Sequence, residues 1–216
     1  MPLPDKLTAS YFRRYGFAPA TVIDVGVMAG TPFLYEAFPD AKFVLIDPLE
    51  ESREAVARNW GGRIAYDFHL CAVGAATGQM ELHVPAAGKA RTSFGQRKTA
   101  SDLRTSTRVV DIRPLDEISA AYAGSIGLKI DTEGHELAVL AGAVETLRRA
   151  EFVIAETSIK RRFTGGYRFS ELVAFMAGHG FEVYAFLSGL TRSPRMADLL
   201  FVPWDSTRFD MGSGKG

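Results

Sequence analysis

The chain has 216 residues, of which 47% are hydrophobic and 23% charged, the proportions of a folded domain rather than a disordered segment. Lysine plus arginine and aspartate plus glutamate each number 25, so the net charge is zero, which argues against nucleic-acid binding through a general basic excess. The single cysteine, Cys71, rules out an intrachain disulfide and fits a reducing, cytoplasmic setting. No apolar run approaches the ~20 residues of a membrane span, and the N-terminus MPLPDKLTAS has no apolar signal core.

Residues 1–20 read as a short leading helix or arm. TVIDVG, from Thr21, is the first predicted strand. Thr31-Pro32 supplies an N-cap and a first-turn proline, so a helix is expected from Pro32 to Phe38. KFVLID is the second strand, and EESREAVARNW a helix that Gly61-Gly62 stops. RIAYDFHLCAVG holds a third strand, and TGQMELHV another after a glycine turn. Residues 86–108 are polar and basic and read as an excursion loop. RVVDIRPLDEI resumes with a short strand and a helix start, and IGLKID is the next strand. ELAVLAGAVETLRR is expected as one helix, with Leu137, Leu140, Val144 and Leu147 on one stripe. EFVIAET is a strand and FSELVAFMAGHG a helix. FEVYAFL and ADLLFVP are closing strands whose short link makes them antiparallel.

This alternation predicts a single α/β domain over residues 21–204, with a mostly parallel sheet covered on both faces, and a flexible tail over 205–216. Such sheets bind ligands beyond the carboxyl ends of their strands, where strand order reverses. The first strand ends in Asp24-Val25-Gly26, and Gly26 and Gly30 suit a tight turn close to a ligand. Asp47 ends the second strand, placed to accept hydrogen bonds from ribose hydroxyls. A dinucleotide fingerprint G-x-G-x-x-G fails here, because Met28 and Thr31 stand where its second and third glycines belong. S-adenosylmethionine has no pyrophosphate to accommodate. Asp24 and the backbone around Gly26 could hold its amino-acid end, and the backbone at Ala72 could wall its adenine.

LKIDTEGHELAVLAGA, from Leu128 to Ala143, resembles the K-I-D-x-E-G-x-E-x-x-V-L-x-G-A signature of FkbM-type methyltransferases. RPLDEI, FVIAET and DVGVMAG resemble three further segments of that family, V-x-T-L-D-E-L, I-x-x-E and D-V-G-A-N-x-G. The chain departs at Val27-Met28, where the family carries Ala-Asn, and at Asp47, where Glu is more usual. The resemblance implies a class I (Rossmann-like) methyltransferase fold with a seven-stranded, mostly parallel sheet and an antiparallel C-terminal strand. It also implies methyl transfer from S-adenosylmethionine, usually to a hydroxyl of a sugar or related natural product.

For that chemistry the polar candidates are Asp131, Glu133, His135 and Glu156, at the ends of two neighbouring strands. Asp131 is expected to orient the cofactor or acceptor, His135 or Glu133 to act as base, and Glu156 to line the pocket. Glu133 and Glu136 also suit a helix first turn on charge grounds alone. The donors would suit a divalent cation, but no short motif fixes a geometry and no metal site is assigned. Lys89, Arg91, Arg97, Lys98, Arg104 and Arg108, with Lys160, Arg161 and Arg162, form either a cationic mouth for an anionic acceptor or a solvated face. Thr92-Ser93-Phe94 could close as a lid. The acceptor is expected to be a small molecule or saccharide, with no nucleic acid. A nicotinamide-dependent oxidoreductase and a non-catalytic S-adenosylmethionine-binding protein stand as the alternatives.

Overall fold

The computed structural model describes residues 6–85, 105–188 and 191–210. Along the chain lie α1 (Ala9–Arg14), β1 (Thr21–Val25), α2 (Pro32–Ala37), β2 (Lys42–Ile46), α3 (Glu50–Trp60), β3 (Tyr66–His69), β4 (Ala72–Val73), β5 (Gly78–Pro85) and β6 (Thr105–Arg113). There follow α4 (Leu115–Ser119), β7 (Ile126–Ile130), α5 (Glu136–Ala141), α6 (Val144–Leu147), β8 (Ala150–Ser158), α7 (Phe169–Gly178), β9 (Phe181–Phe186) and β10 (Met196–Pro203). Among the described residues no helix is long and apolar enough to cross a membrane.

The main sheet has seven strands in the order β3-β2-β1-β7-β8-β10-β9. β10 runs antiparallel to both of its neighbours, and the other pairings are parallel. This is the arrangement expected from the sequence. All five residues of β1 are buried, because helices cover both faces of a parallel sheet. Side chains alternate along the strand, so Ile23 and Val25 join one core with Leu128, Leu140 and Leu172. Val22 joins the opposite core with Phe12, Phe43, Leu45 and Phe152. The N-terminal arm belongs to that second layer: the Phe12 ring packs 5.6 Å from the rings of both Phe33 and Phe152. Strand order reverses between β1 and β7, which opens a crevice at their carboxyl ends.

Three elements differ from the sequence reading. RIAYDFHLCAVG is two strands, not one. β3 ends the main sheet at His69, and Ala72–Val73 then pairs with β6 in a separate three-stranded sheet, β4-β6-β5. That sheet has its own apolar face, built from Ala72, Leu82, Val84, Val110, Ile112 and Leu49. The helix expected over 136–149 is broken between α5 and α6. Val139, Leu140 and Leu147 are buried, while Leu137 and Val144 are only half-buried. The break follows from a close backbone approach, since a Cβ on Gly142 would lie 2.1 Å from the Gly74 carbonyl oxygen. The Asp116 carboxylate then caps the new helix start, accepting from the Glu145 and Thr146 N–H groups at 3.0 and 2.7 Å. Finally, the chain beyond 204 packs back as far as Asp210. Arg208 donates to the Tyr15 carbonyl at 3.0 Å and lies 4.1 Å from the centre of the Phe17 ring.

Gly142→Ala is expected to destabilise the fold by roughly 1–3 kcal/mol, the usual cost of forcing an atom into a packed contact. Urea unfolding measures the loss; an unchanged midpoint would show that Gly74 can retreat freely.

Candidate active site

At the carboxyl ends of β1, β2, β7 and β8, and under β4 and β5, lies a cavity of about 160 Å³. Gly26, Asp47, Ala72, Asp131, Glu133 and Glu156 all line it, from five separate stretches of chain. Asp24, Gly30 and His135 do not.

Gly26 is where the strand ends meet. Its φ is +81°, and a Cβ there would sit 1.9 Å from the Asp131 carbonyl oxygen. Its N–H donates to the Ile46 carbonyl, and the Asp131 N–H donates to the Val25 carbonyl, each at 2.9 Å. Three strand tips are thus tied by backbone around one glycine. Gly30, at φ +110°, serves a different contact. A Cβ there would lie 2.2 Å from Trp60 Nε1, whose N–H donates to the Ala29 carbonyl at 3.1 Å. It lets the loop fold back onto α3.

Met28 adopts φ +48°, a left-handed conformation that Asn tolerates and Met does not favour. The position is the one where the family loop carries Asn. Its N–H donates to Asp47 Oδ2 at 3.0 Å, and the Leu49 N–H donates to Oδ1 at the same distance. Asp47 is therefore held by one backbone donor on each oxygen. Burial pushes its pKa above the ordinary carboxylate range, against the pull of those two hydrogen bonds and of a third from the Ser52 side chain. Ala72 lines the cavity from β4 rather than from the end of the third strand.

Asp24 is fully buried behind the cavity. It accepts from Lys129 Nζ and from the Tyr35 hydroxyl, each at 3.3 Å. Lys129 also reaches Asp131 Oδ2 at 3.5 Å. Burial opposes the charge on Lys129, but Asp24 and then Asp131 outweigh it and hold the ammonium above its usual range.

The turn after β7 carries the acidic groups. Glu136 is fully buried and structural: its carboxylate accepts from the Thr132 N–H at 3.1 Å, the Thr132 hydroxyl at 3.2 Å and the Gly134 N–H at 2.9 Å. Within the loop it braces, Glu133 takes φ +52° and Gly134 φ +102°. His135 is the N-cap residue of α5. Its Nε2 lies 3.4 Å from where a Cβ on Gly74 would stand, so the ring faces the second sheet. Burial lowers its pKa.

Arg162 is a site residue that the sequence reading assigned to the rim. Its guanidinium donates to Glu133 Oε2 and, at 3.0 Å, to Glu156 Oε2, and its side chain is only 9% exposed. In a Lys160-Arg161-Arg162 run, nothing local distinguishes it from a solvated arginine. Lys129, by contrast, stands in the K-I-D segment of the family signature, although no role is assigned to it from the sequence. Burial first, then Asp131 and Glu133, pushes the Glu156 carboxyl up to about 8, against the pull of Arg162.

Of the other cations expected at the mouth, Arg108 is neutralised by a two-pronged pair with Glu51, both contacts at 2.8 Å. Lys89, Arg91, Arg97, Lys98 and Arg104, and the expected lid Thr92-Ser93-Phe94, lie outside the described residues. Among the described residues no group of three or more His, Cys, Asp or Glu is arranged to hold a metal ion.

Lys129→Met should cost about 3–5 kcal/mol, because it strands Asp24 as a buried uncompensated charge. Pairing it with Asp24→Asn should recover much of that loss in a double-mutant cycle of denaturation energies. Additive losses would show that the two groups do not interact.

The profile of the methyltransferase FkbM domain matches residues 24–183. No curated protein matches the chain. Among solved structures, the chain is similar to magnesium protoporphyrin IX methyltransferase from Synechocystis PCC 6803 with bound S-adenosylhomocysteine. That match has a TM-score of 0.50 and 12% identity, and it covers 90% of this chain and 79% of that one. It is similar also to Aeropyrum pernix fibrillarin in complex with S-adenosylmethionine, with a TM-score of 0.50, 12% identity, and 86% and 67% of the two chains covered. Identities this low establish a shared fold only, that of class I methyltransferases. The profile match spans most of the chain and includes every residue named above as lining the cavity: the chain belongs to the FkbM family of methyltransferases.

Proposed function

We propose that the protein is an S-adenosylmethionine-dependent O-methyltransferase acting on a hydroxyl of a saccharide or saccharide-bearing metabolite. The observation that carries the reading is the convergence of Asp47 and the acidic group Asp131, Glu133 and Glu156 on one cavity. The residues fit the cofactor. Asp47 presents a carboxylate to the cavity that can accept from a ribose hydroxyl, Gly26 allows close backbone approach, and Leu49, Cys71, Ala72 and Val73 offer an apolar wall for adenine. Asp131 supplies a carboxylate for the ammonium of the methionine end. When bound, the cofactor supplies an electrophilic methyl group on a sulfonium centre.

The protein then has two tasks, which are to align an acceptor oxygen and to take its proton. Alignment in such a cavity is worth about 7–11 kcal/mol at best, and a placed base adds ~10²–10⁴-fold. Glu156 is the favoured base. It lines the cavity, and its raised pKa places proton exchange near neutrality. Glu133 stands on a strained turn rather than on a strand, and His135 is not among the residues that line the cavity. A neutral acceptor suits these surroundings, where three carboxylates meet Arg162 and Lys129.

Incubation with methyl-labelled S-adenosylmethionine and a panel of glycans and phosphorylated sugars tests the reading, with label expected on a sugar oxygen. Cofactor binding without transfer across the panel would favour a non-catalytic binding protein instead. Asp47→Ala should weaken S-adenosylhomocysteine binding about 10–100-fold by calorimetry, the loss of hydrogen bonds to a charged group; unchanged affinity would remove Asp47 from the site. The base is active only when ionised, so transfer should rise with pH through about 8 and then level off. Glu156→Gln should lower the rate ~10²-fold or more and abolish that rise.

A further inference from the structure

Arg162 bridges two carboxylates that both face the cavity. One guanidinium cannot compensate both carboxylates when both are ionised, and Asp131 beside them adds a third acidic group to a largely buried cluster. Such an arrangement is a poor device for stability, since buried charge is costly unless fully compensated. The backbone is strained in the same place: Glu133 is a non-glycine residue at φ +52°, a conformation that persists only when its surroundings impose it. Those surroundings come from the β8–α7 loop. The Phe163 ring occupies the space over Gly134, where a Cβ would lie 2.3 Å from Phe163 Cδ2. Next to it, the Arg162 guanidinium stacks 5.1 Å from the centre of that ring and reaches Glu133. The loop therefore clamps the turn at two adjacent points, one apolar and one ionic.

Resting on the reading of Glu156 as base, we infer that Arg162 is a positioning residue that gives the two carboxylates different tasks. It holds the Glu133 carboxylate in place at the cavity wall, and it aims Glu156 at the acceptor oxygen while leaving it free to exchange a proton. The asymmetry has a geometric source. Glu133 stands on a constrained turn, with Phe163 and Arg162 both against it. Glu156 projects from β8, paired in register with Asp198 of β10. The charged and titratable groups around Glu156 are Asp131 and Glu133 from the turn after β7, Arg162 from the loop after β8, Asp198 from β10, and Tyr167 from the segment before α7. Arg162 is the cation in direct contact with it, so its removal must favour the protonated carboxyl.

The test follows the Glu156 carboxyl carbon by NMR titration in protein labelled at glutamate carboxyls, with S-adenosylhomocysteine bound. In Arg162→Gln the midpoint should rise by about one unit or more, the effect of losing an adjacent opposite charge, while S-adenosylhomocysteine affinity measured by calorimetry stays unchanged. In Arg162→Lys, which keeps the charge but not the two-pronged fork, the rise should be smaller; this variant decides the matter if Arg162→Gln does not fold. In Glu133→Gln the arginine is left to Glu156 alone, and the midpoint should fall. A Glu156 midpoint that stays in place in the arginine variants overturns the inference. It would leave the base assignment standing, because that assignment fails only if Glu156→Gln still transfers methyl at the wild-type rate.

Discussion

The Lys129 ammonium, buried between Asp24 and Asp131, is the contact on which the site's geometry depends. Asp24 and Lys129 are register partners on β1 and β7, the two strands that flank the reversal of strand order. A shift of either strand would separate them and leave two charges buried without compensation. Their pairing therefore fixes the register at the one place where it decides the height of the strand tips. Once that register is set, the Asp131 carbonyl meets Gly26 with no space for a side chain, and the Asp131 carboxylate emerges at the cavity. Asp24 acts from behind the site, as the counter-charge that allows a lysine to be there.

Strain gathers at the same cavity. Among the described residues, Met28 and Glu133 are the non-glycine residues with positive φ, and both line it. Each costs on the order of 1–3 kcal/mol. Met28 turns its N–H onto Asp47, and Glu133 turns its carboxylate toward Arg162. In both cases an unfavourable backbone angle aims a polar group at a neighbour that also faces the cavity. The fold supports the two strained turns from outside, through Trp60 packed behind Gly30 and Phe163 packed on Gly134.

Charge is distributed in a way that overall neutrality hides. Arg108 and Arg162 lie in the two stretches that read as a basic rim, yet each spends its charge on carboxylates of the fold. The described wall of the cavity is consequently acidic on its β7–β8 side and apolar beneath the second sheet. That sheet closes the cavity with Ala72 and Leu82, and Arg108 ties it to α3.

Local chemistry in the sequence determined most of the main sheet. Continuous apolar runs such as TVIDV and IGLKI read as strands buried on both faces, and Gly26, Asp47, Asp131 and Glu156 could be placed because they stand at or near the ends of such runs. What only the tertiary structure decided were matters that depend on contacts between distant segments. The break at Gly142 comes from the approach of Gly74, and the split of RIAYDFHLCAVG comes from Ala72 finding a partner in β6. The inward turn of Arg162 comes from Glu133, 29 residues earlier. The same limit explains Asp24, Gly30 and His135. Their types and spacing suited a ligand site, but the packing of α2, Trp60 and the second sheet claimed them. A residue at a strand tip can face a cavity or a neighbouring helix with the same sequence around it, and only the assembled layers determine which.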